Sequence, residues 1–220
     1  MLIATSLAAA FAASLGAAPL TAALPPMAVT VDVTVDLPPP VVSVALQEAD
    51  AIWRPTGVTF AWRIAPRAIG GPADPCPPFS TLRVVIGEAP GNAPPDQIPI
   101  AWIVFDEDNV PARDIYVSHR NALQFLISAR GAGPAAAQMT RSEQNLRLGR
   151  AMGRALAHEI GHYLLASKAH ARRGLMQASH TAYSFFDVDR TGFEIDKAMR
   201  QEVAARLRHE PLTAASGPSL

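Results

Sequence analysis

"HEIGHYLLASKAHARRGLM", His158–Met176, carries three histidines, one glutamate and one methionine in nineteen residues. His158 and His162 are four apart. On a helix that spacing puts both imidazoles on one face, about 6 Å apart at Cβ. Two rings so placed can converge on one ion at the 2.0–2.1 Å that zinc–nitrogen bonds require. Glu159 follows His158 at about 100° around the helix. From there its carboxylate reaches a metal-activated water without ligating the metal, the place of a general base. The competing reading is two surface histidines at a helix end, with Glu159 solvated.

The surrounding pattern favours the first reading. A long helix is expected from about Ser142 to Ala166, with Thr140 or Ser142 as its cap and Glu143 in its first turn. Ala151 and Ala155 fall on the side of the two histidines and leave room above them. Met152, Leu156, Ile160, Tyr163 and Leu164 form an adjoining apolar sector, the expected core contact. Arg147, Arg150 and Arg154 are expected on the opposite edge, towards water. The histidines thus lie on the border between core and cleft.

A catalytic zinc site has three protein ligands and one open position. His170 is the nearest candidate for the third; the segment "YLLASKA" before it ends the helix and lets the chain double back. Asp187, Asp189 and Glu194 compete for that place, because a downstream carboxylate is the other common solution. "DVDRTG" has a calcium-loop flavour, but Ala198 stands where the bidentate glutamate belongs.

Upstream, two periods alternate. Period two marks strands at 27–36 ("MAVTVDVTVD"), 58–64, 81–88, 98–106 and 114–119. Helical spacing marks the stretch 41–58, recurring from Val41 to Ile52 until Pro55-Thr56-Gly57 stops the pattern, then 120–130 and a last helix at about 196–208. The expected fold is α+β: a twisted mixed sheet of antiparallel and parallel strands backed by two helices. The second helix carries HExxH, and a small C-terminal helical subdomain follows.

Nineteen basic and nineteen acidic residues cancel, so neither nucleic acid nor an anionic membrane surface is the expected partner. The twenty prolines crowd into 19–40, 66–78 and 90–99, which read as linker and long loops. One cysteine, Cys76, cannot form an internal disulfide. It is either a loop residue without a role or a thiolate able to cap the open metal position. The uncharged, alanine-rich start resembles a signal-peptide apolar region. It offers small residues at Gly16, Ala18, Thr21 and Ala23 for cleavage but no positive n-region. Export to a secreted or periplasmic location is expected, with an uncleaved anchor as the variant. No stable membrane span is expected after processing.

His158, Glu159, His162, a third histidine and Met176 in "GLM" together resemble the metzincin zinc peptidases, whose pattern is HExxHxxGxxH followed by a methionine turn. The stretch is also similar to a class of short exported bacterial HExxH proteins. The family's glycine falls on Leu165 here and its third histidine on Lys168; this chain has histidine two residues later, at His170. The methionine follows six residues after that, so any lower subdomain is very small. The resemblance implies Zn2+ held by His158, His162 and His170, with Glu159 as general base. It implies Met176 beneath the ligand rings, a polypeptide substrate, and "IAWIVFD" as the sheet edge on which it lies. His180 or Tyr183 would then serve the oxyanion or the coordination. Lys168, Arg172 and Arg173 would either favour acidic substrate residues or form a solvated loop. The expected organisation is a signal peptide (1–23), linker and first strand (24–40), a single zincin-like catalytic domain (41–208) and a flexible tail (209–220). The expected activity is zinc-dependent endopeptidase hydrolysis. The alternatives are an exported zinc-binding or interaction module without turnover, and a zinc amidase acting on a non-protein substrate. Substrate-binding residues are not readable at this level.

Overall fold

The computed structural model describes residues 26–65, 82–88, 99–129 and 138–209. The proposed signal peptide, Cys76 and the tail beyond residue 209 lie outside them, as do most of the two proline loops.

Alternation of valine with threonine and aspartate makes Met27–Val33 a strand, β1, with one face for each class. Val29 and Val31 are buried on the core side; Thr30 and Asp32 face the other way. The helix α1, Pro39–Trp53, starts on a proline pair, where absent N–H groups cost nothing. A single 3₁₀ turn, Arg54–Thr56, then runs into Gly57, whose φ of 84° reverses the chain. Strands β2 (Phe60–Ile64), β3 (Leu82–Gly87), β4 (Ala101–Phe105) and β5 (Pro111–Ser118) follow. Then come helices α2 (His119–Ser128), α3 (Arg141–Leu165), α4 (Ala182–Phe186) and α5 (Lys197–His209).

The five strands form one sheet in the order β2-β1-β3-β5-β4. The β1–β2, β1–β3 and β3–β5 pairings are parallel, and β4 joins β5 antiparallel at the edge. The expected α+β fold with a mixed sheet is what the chain adopts. On the inner face Val31, Leu82, Val84, Ile86, Ile115 and Val117 are buried, joined to the apolar sides of α1 and α3 in one core. On the outer face Arg83 grips Asp114 through two hydrogen bonds (2.9 and 2.5 Å), with Asp32 at 3.8 Å.

Helix α3 begins where Thr140 Oγ1 accepts from Glu143 N–H (3.2 Å), as its capping residues require. It meets α1 along a stripe of small residues. A Cβ on Gly149 would lie 2.6 Å from Val44 Cβ, and one on Gly153 would lie 2.5 Å from the Ala45 carbonyl oxygen. The helix axes therefore approach more closely than any larger pair would permit. Trp53 Nε1–H donates to the Ala157 carbonyl (3.0 Å) and fixes the register of the two helices.

One expectation fails here. Arg154 does not point to water: it is fully buried. Its Nε–H donates to Glu48 Oε1 (2.9 Å), Nη1 to the Ser184 carbonyl and Nη2 to the Asp189 carbonyl (2.8 Å). Glu48, itself buried, also accepts from Arg190 (2.8 Å). The helical wheel is correct about the angle, but a buried carboxylate from α1 stands at that angle and pairs the charge. The aromatic stretch "AYSFF", Ala182–Phe186, forms the short helix α4, capped by Thr181.

Candidate metal centre

The last turns of α3 present His158 and His162 side by side, with Nε2 atoms 3.0 Å apart. The chain then turns sharply. Ala166 takes the left-handed conformation (φ 42°), and the N–H groups of Ala166 and Ser167 bond back to the carbonyls of Tyr163 and His162 (3.2 Å each). This reversal returns His170 to the same place. Its ring lies 5.3 Å from that of His158 and 5.0 Å from that of His162, centroid to centroid. One ligand atom from each of the three lies within 4.8 Å of the others.

The second nitrogen of each helix histidine is already committed. His158 Nδ1–H donates to the Leu175 carbonyl (2.8 Å) and His162 Nδ1–H to the Ser167 carbonyl (2.6 Å). A carbonyl can only accept, so each Nδ1 carries the proton. Burial pushes the pKa of both rings down, that of His158 to about 4, so both are neutral near pH 7. Two neutral rings protonated at Nδ1 then bring bare Nε2 acceptors within 3.0 Å of each other. Acceptor against acceptor is repulsive unless a cation lies between them. Tetrahedral coordination at 2.0–2.1 Å would separate two nitrogens by about 3.3 Å, close to what is seen. The donor set therefore fits a divalent ion, with its imidazoles oriented by backbone carbonyls as metal-binding histidines usually are.

Glu159 sits beside them, half-buried. Burial raises its carboxyl pKa to about 8, against the pull of a hydrogen bond from the Ile103 N–H of β4. A cation at the imidazoles would favour the carboxylate and lower that value.

Met176 is fully buried, and its sulfur packs where a side chain on residue 161 would begin. Gly161 thus makes room for Met176 against α3, one residue before His162. The turn carrying Met176 is tied twice: Ala171 N–H donates to the Met176 carbonyl (2.7 Å), and Leu175 N–H to the Glu194 carbonyl (2.9 Å). Gly174 (φ 78°) allows the second bond, because a Cβ there would lie 2.6 Å from the Glu194 oxygen.

Asp187, Asp189 and Glu194 do not join the histidine cluster among the described residues. Asp187 bonds Tyr183 and the Val188 N–H, Asp189 offers its carbonyl to Arg154, and Glu194 accepts from Gly192 N–H. Tyr183 is 62% exposed and turned to Asp187, whereas His180 lines the same cavity as His158. Lys168 reaches away to Asn109 Oδ1 (2.7 Å) and lies over the Phe105 ring. Ser167 and Leu175 act through backbone carbonyls and carry no signal in their side chains. Gly161 carried one, a glycine inside a strong helix.

No protein-family model matches the chain, and no curated protein matches its sequence. The fold resembles that of an archaemetzincin. The crystal structure of that protein, from Methanopyrus kandleri, superposes with a TM-score of 0.50, covering 83% of this chain and 96% of that one. Sequence identity is 13%, so the archaemetzincin likeness is one of fold. Among the described residues no helix is long and apolar enough to cross a membrane.

Proposed function

We propose that the protein is a zinc-dependent endopeptidase, with His158, His162 and His170 as metal ligands and Glu159 as general base. The observation that carries the proposal is the pair of Nε2 atoms 3.0 Å apart, with a third imidazole closing on them. Three imidazoles with an open side suit zinc in its catalytic form.

A bound zinc ion supplies Lewis acidity, polarising a carbonyl and acidifying a coordinated water. The protein's own part is to orient and to move protons. The Leu175 and Ser167 carbonyls hold the two helix imidazoles in the tautomer that leaves Nε2 free. Glu159 takes a proton from the attacking water and returns it to the leaving amine. The antiparallel strand β4 borders the cavity through Ala101 and Trp102, and among the described residues no strand pairs with its outer edge. An extended peptide can lie along such an edge and pass through the site, which supports endo- rather than exopeptidase action.

The test is Glu159→Gln. Zinc content, read by elemental analysis, stays at that of the parent, while chelator-sensitive digestion of casein falls by about two orders of magnitude or more. Equal digestion by variant and parent removes the peptidase reading. Zinc bound by both with digestion by neither points instead to a binding module.

A further inference from the structure

The surface carries a second concavity, apart from the metal centre. It is a groove of about 550 Å³ between the 3₁₀ turn and helix α5, lined by Thr56, Lys197, Arg200, Gln201, Ala204 and Arg208. None of these residues lines the cavity of the histidines. We propose that this groove binds an extended acidic segment of a polypeptide partner. Such binding goes beyond the peptidase reading and needs no metal.

The spacing of α5 makes this face. Residues 197, 200, 201, 204 and 208 recur at helical intervals and form one stripe along the helix. Met199, Val203 and Leu207 take the other side and pack into the core. Lys197, Arg200 and Arg208 are exposed, and among the described residues no carboxylate lines the groove. Arg200 Nε–H donates to the Asp196 carbonyl (3.3 Å), which carries no full charge to cancel the guanidinium. Arg54, on the same turn as Thr56, differs: Asp50 pairs with it. In a chain whose basic and acidic residues cancel, three uncompensated cations thus share one stripe. A negative partner complements them.

Geometry selects the kind of anion. From Lys197 to Arg208 the stripe runs about 16 Å along the helix axis, which an extended peptide covers in about five residues. Arg200 stands about 4.5 Å along the axis from Lys197 and about 12 Å from Arg208. Cations so spread suit several single carboxylates. One phosphate group would need donors converging on a point. Gln201 offers amide donors and an acceptor to a peptide backbone, and the short Ala204 keeps the floor open between Arg200 and Arg208. Nucleic acid or an anionic membrane calls for a broad basic field, which a net charge of zero does not supply. Each exposed ion pair tightens binding by about 1.4- to 5-fold, so three together give on the order of 10-fold.

The test uses the full chain and two fluorescein-labelled peptides, one with three aspartates spread over its central residues and a twin with asparagine in their place. Anisotropy titration in about 20 mM salt should give the aspartate peptide a Kd about 10-fold below that of its twin. Raising the salt to about 150 mM should shrink that ratio several-fold. The triple variant Lys197→Gln/Arg200→Gln/Arg208→Gln should bring the ratio to one while its zinc content stays at that of the parent. Ala204→Glu, which sets a carboxylate in the floor, serves as a second variant should the triple one unfold, and should lower the ratio several-fold. Equal binding of the twins, a ratio untouched by salt, a ratio that survives both variants, or capture by phosphatidylglycerol vesicles without binding of either peptide overturns the proposal. The titration is repeated in chelator. Discrimination retained there, with no digestion of casein by the zinc-loaded parent, removes the peptidase reading and leaves the groove. Digestion without discrimination does the reverse.

Discussion

Adding one methyl group at residue 161 should reverse its effect on stability depending on what stands at residue 176. Gly161 lies within α3, where alanine is favoured over glycine by about 1 kcal/mol. In this fold, however, an alanine Cβ would overlap the Met176 sulfur and lie 3.2 Å from its Cε. Met176 is 1% exposed and must move into a closed core. Overpacking of this kind costs about 1–3 kcal/mol, so Gly161→Ala should destabilise by about 0–2 kcal/mol after the helix gain is subtracted. The displaced methionine would also disturb His162, one residue on, and zinc affinity should fall about 10- to 100-fold. In a Met176→Ala background the obstacle is gone. The next atom, Trp53 Cζ2 at 3.5 Å, makes an ordinary contact. Gly161→Ala should then stabilise that weakened protein by about 1 kcal/mol. Urea unfolding of the four proteins, each with a zinc titration, measures the cycle. Additive effects, with the same sign in both backgrounds, would refute the claim that Gly161 exists to seat Met176.

Burial of charge and strain at the turn yield further expectations. Arg154→Met would leave Glu48 with Arg190 as its remaining cation; losing one partner of a buried pair costs about 3–5 kcal/mol, and Arg154→Met/Glu48→Leu should recover most of it in urea unfolding. Metal-free protein should weaken in acid. The folded pKa of His158, about 4, lies below its ordinary 6.5, so the unfolded chain takes up the proton first. Stability is therefore unaffected by this group above pH 6.5 and falls by up to about 3 kcal/mol as pH drops to 4, with His162 adding in the same direction. Unfolding midpoints in chelator across that range check it; a flat profile would contradict the buried, neutral rings. Ala166→Gly should stabilise by about 0.5–1 kcal/mol, because relief of the left-handed strain (about 1–2) exceeds glycine's entropic cost (about 0.5–1). A raised melting temperature is the readout.

What could be read from the chain depended on how local the deciding physics was. The valine alternation of β1 and the helical spacing of α1 and α3 are written in neighbouring residues, and the elements formed within two or three residues of the expected bounds. The sheet order was not legible, because it depends on which distant strands pair. Arg154 was misplaced for the same reason: its partner Glu48 is 106 residues away, and nothing near position 154 announces a buried carboxylate. His170 could not be separated from Asp187, Asp189 and Glu194 by spacing, since the choice turns on the path of residues 166–170. That path is set by the left-handed Ala166, a residue type that gives no warning of such a conformation.

The brevity of the segment between His170 and Met176 raises the question of how so little chain can organise a three-histidine cluster. Its backbone does most of that work. The Leu175 carbonyl takes the Nδ1 proton of His158, and the next residue inserts its side chain under Gly161. The Met176 carbonyl in turn receives the N–H of Ala171, directly after the third histidine. Two consecutive residues thereby fix one ring's tautomer, pack against the helix at the residue before a second and anchor the segment bearing the third. Glu194 then clamps the whole turn through Leu175 N–H at a point where Gly174 alone allows the approach. Each of these contacts is made by the main chain or by the absence of a side chain. The turn can therefore be short, but it cannot tolerate a residue at 161 or 174 that carries a Cβ. A Gly174→Ala variant tests this limit apart from Gly161: it faces backbone at 2.6 Å with positive φ, and no flexible side chain can yield. It should lose zinc binding about 10- to 100-fold even when Met176 is shortened to alanine, whereas the Gly161 defect disappears in that background. Rescue of both defects by the same shortening would mean that Met176, and not the main-chain turn, organises the cluster.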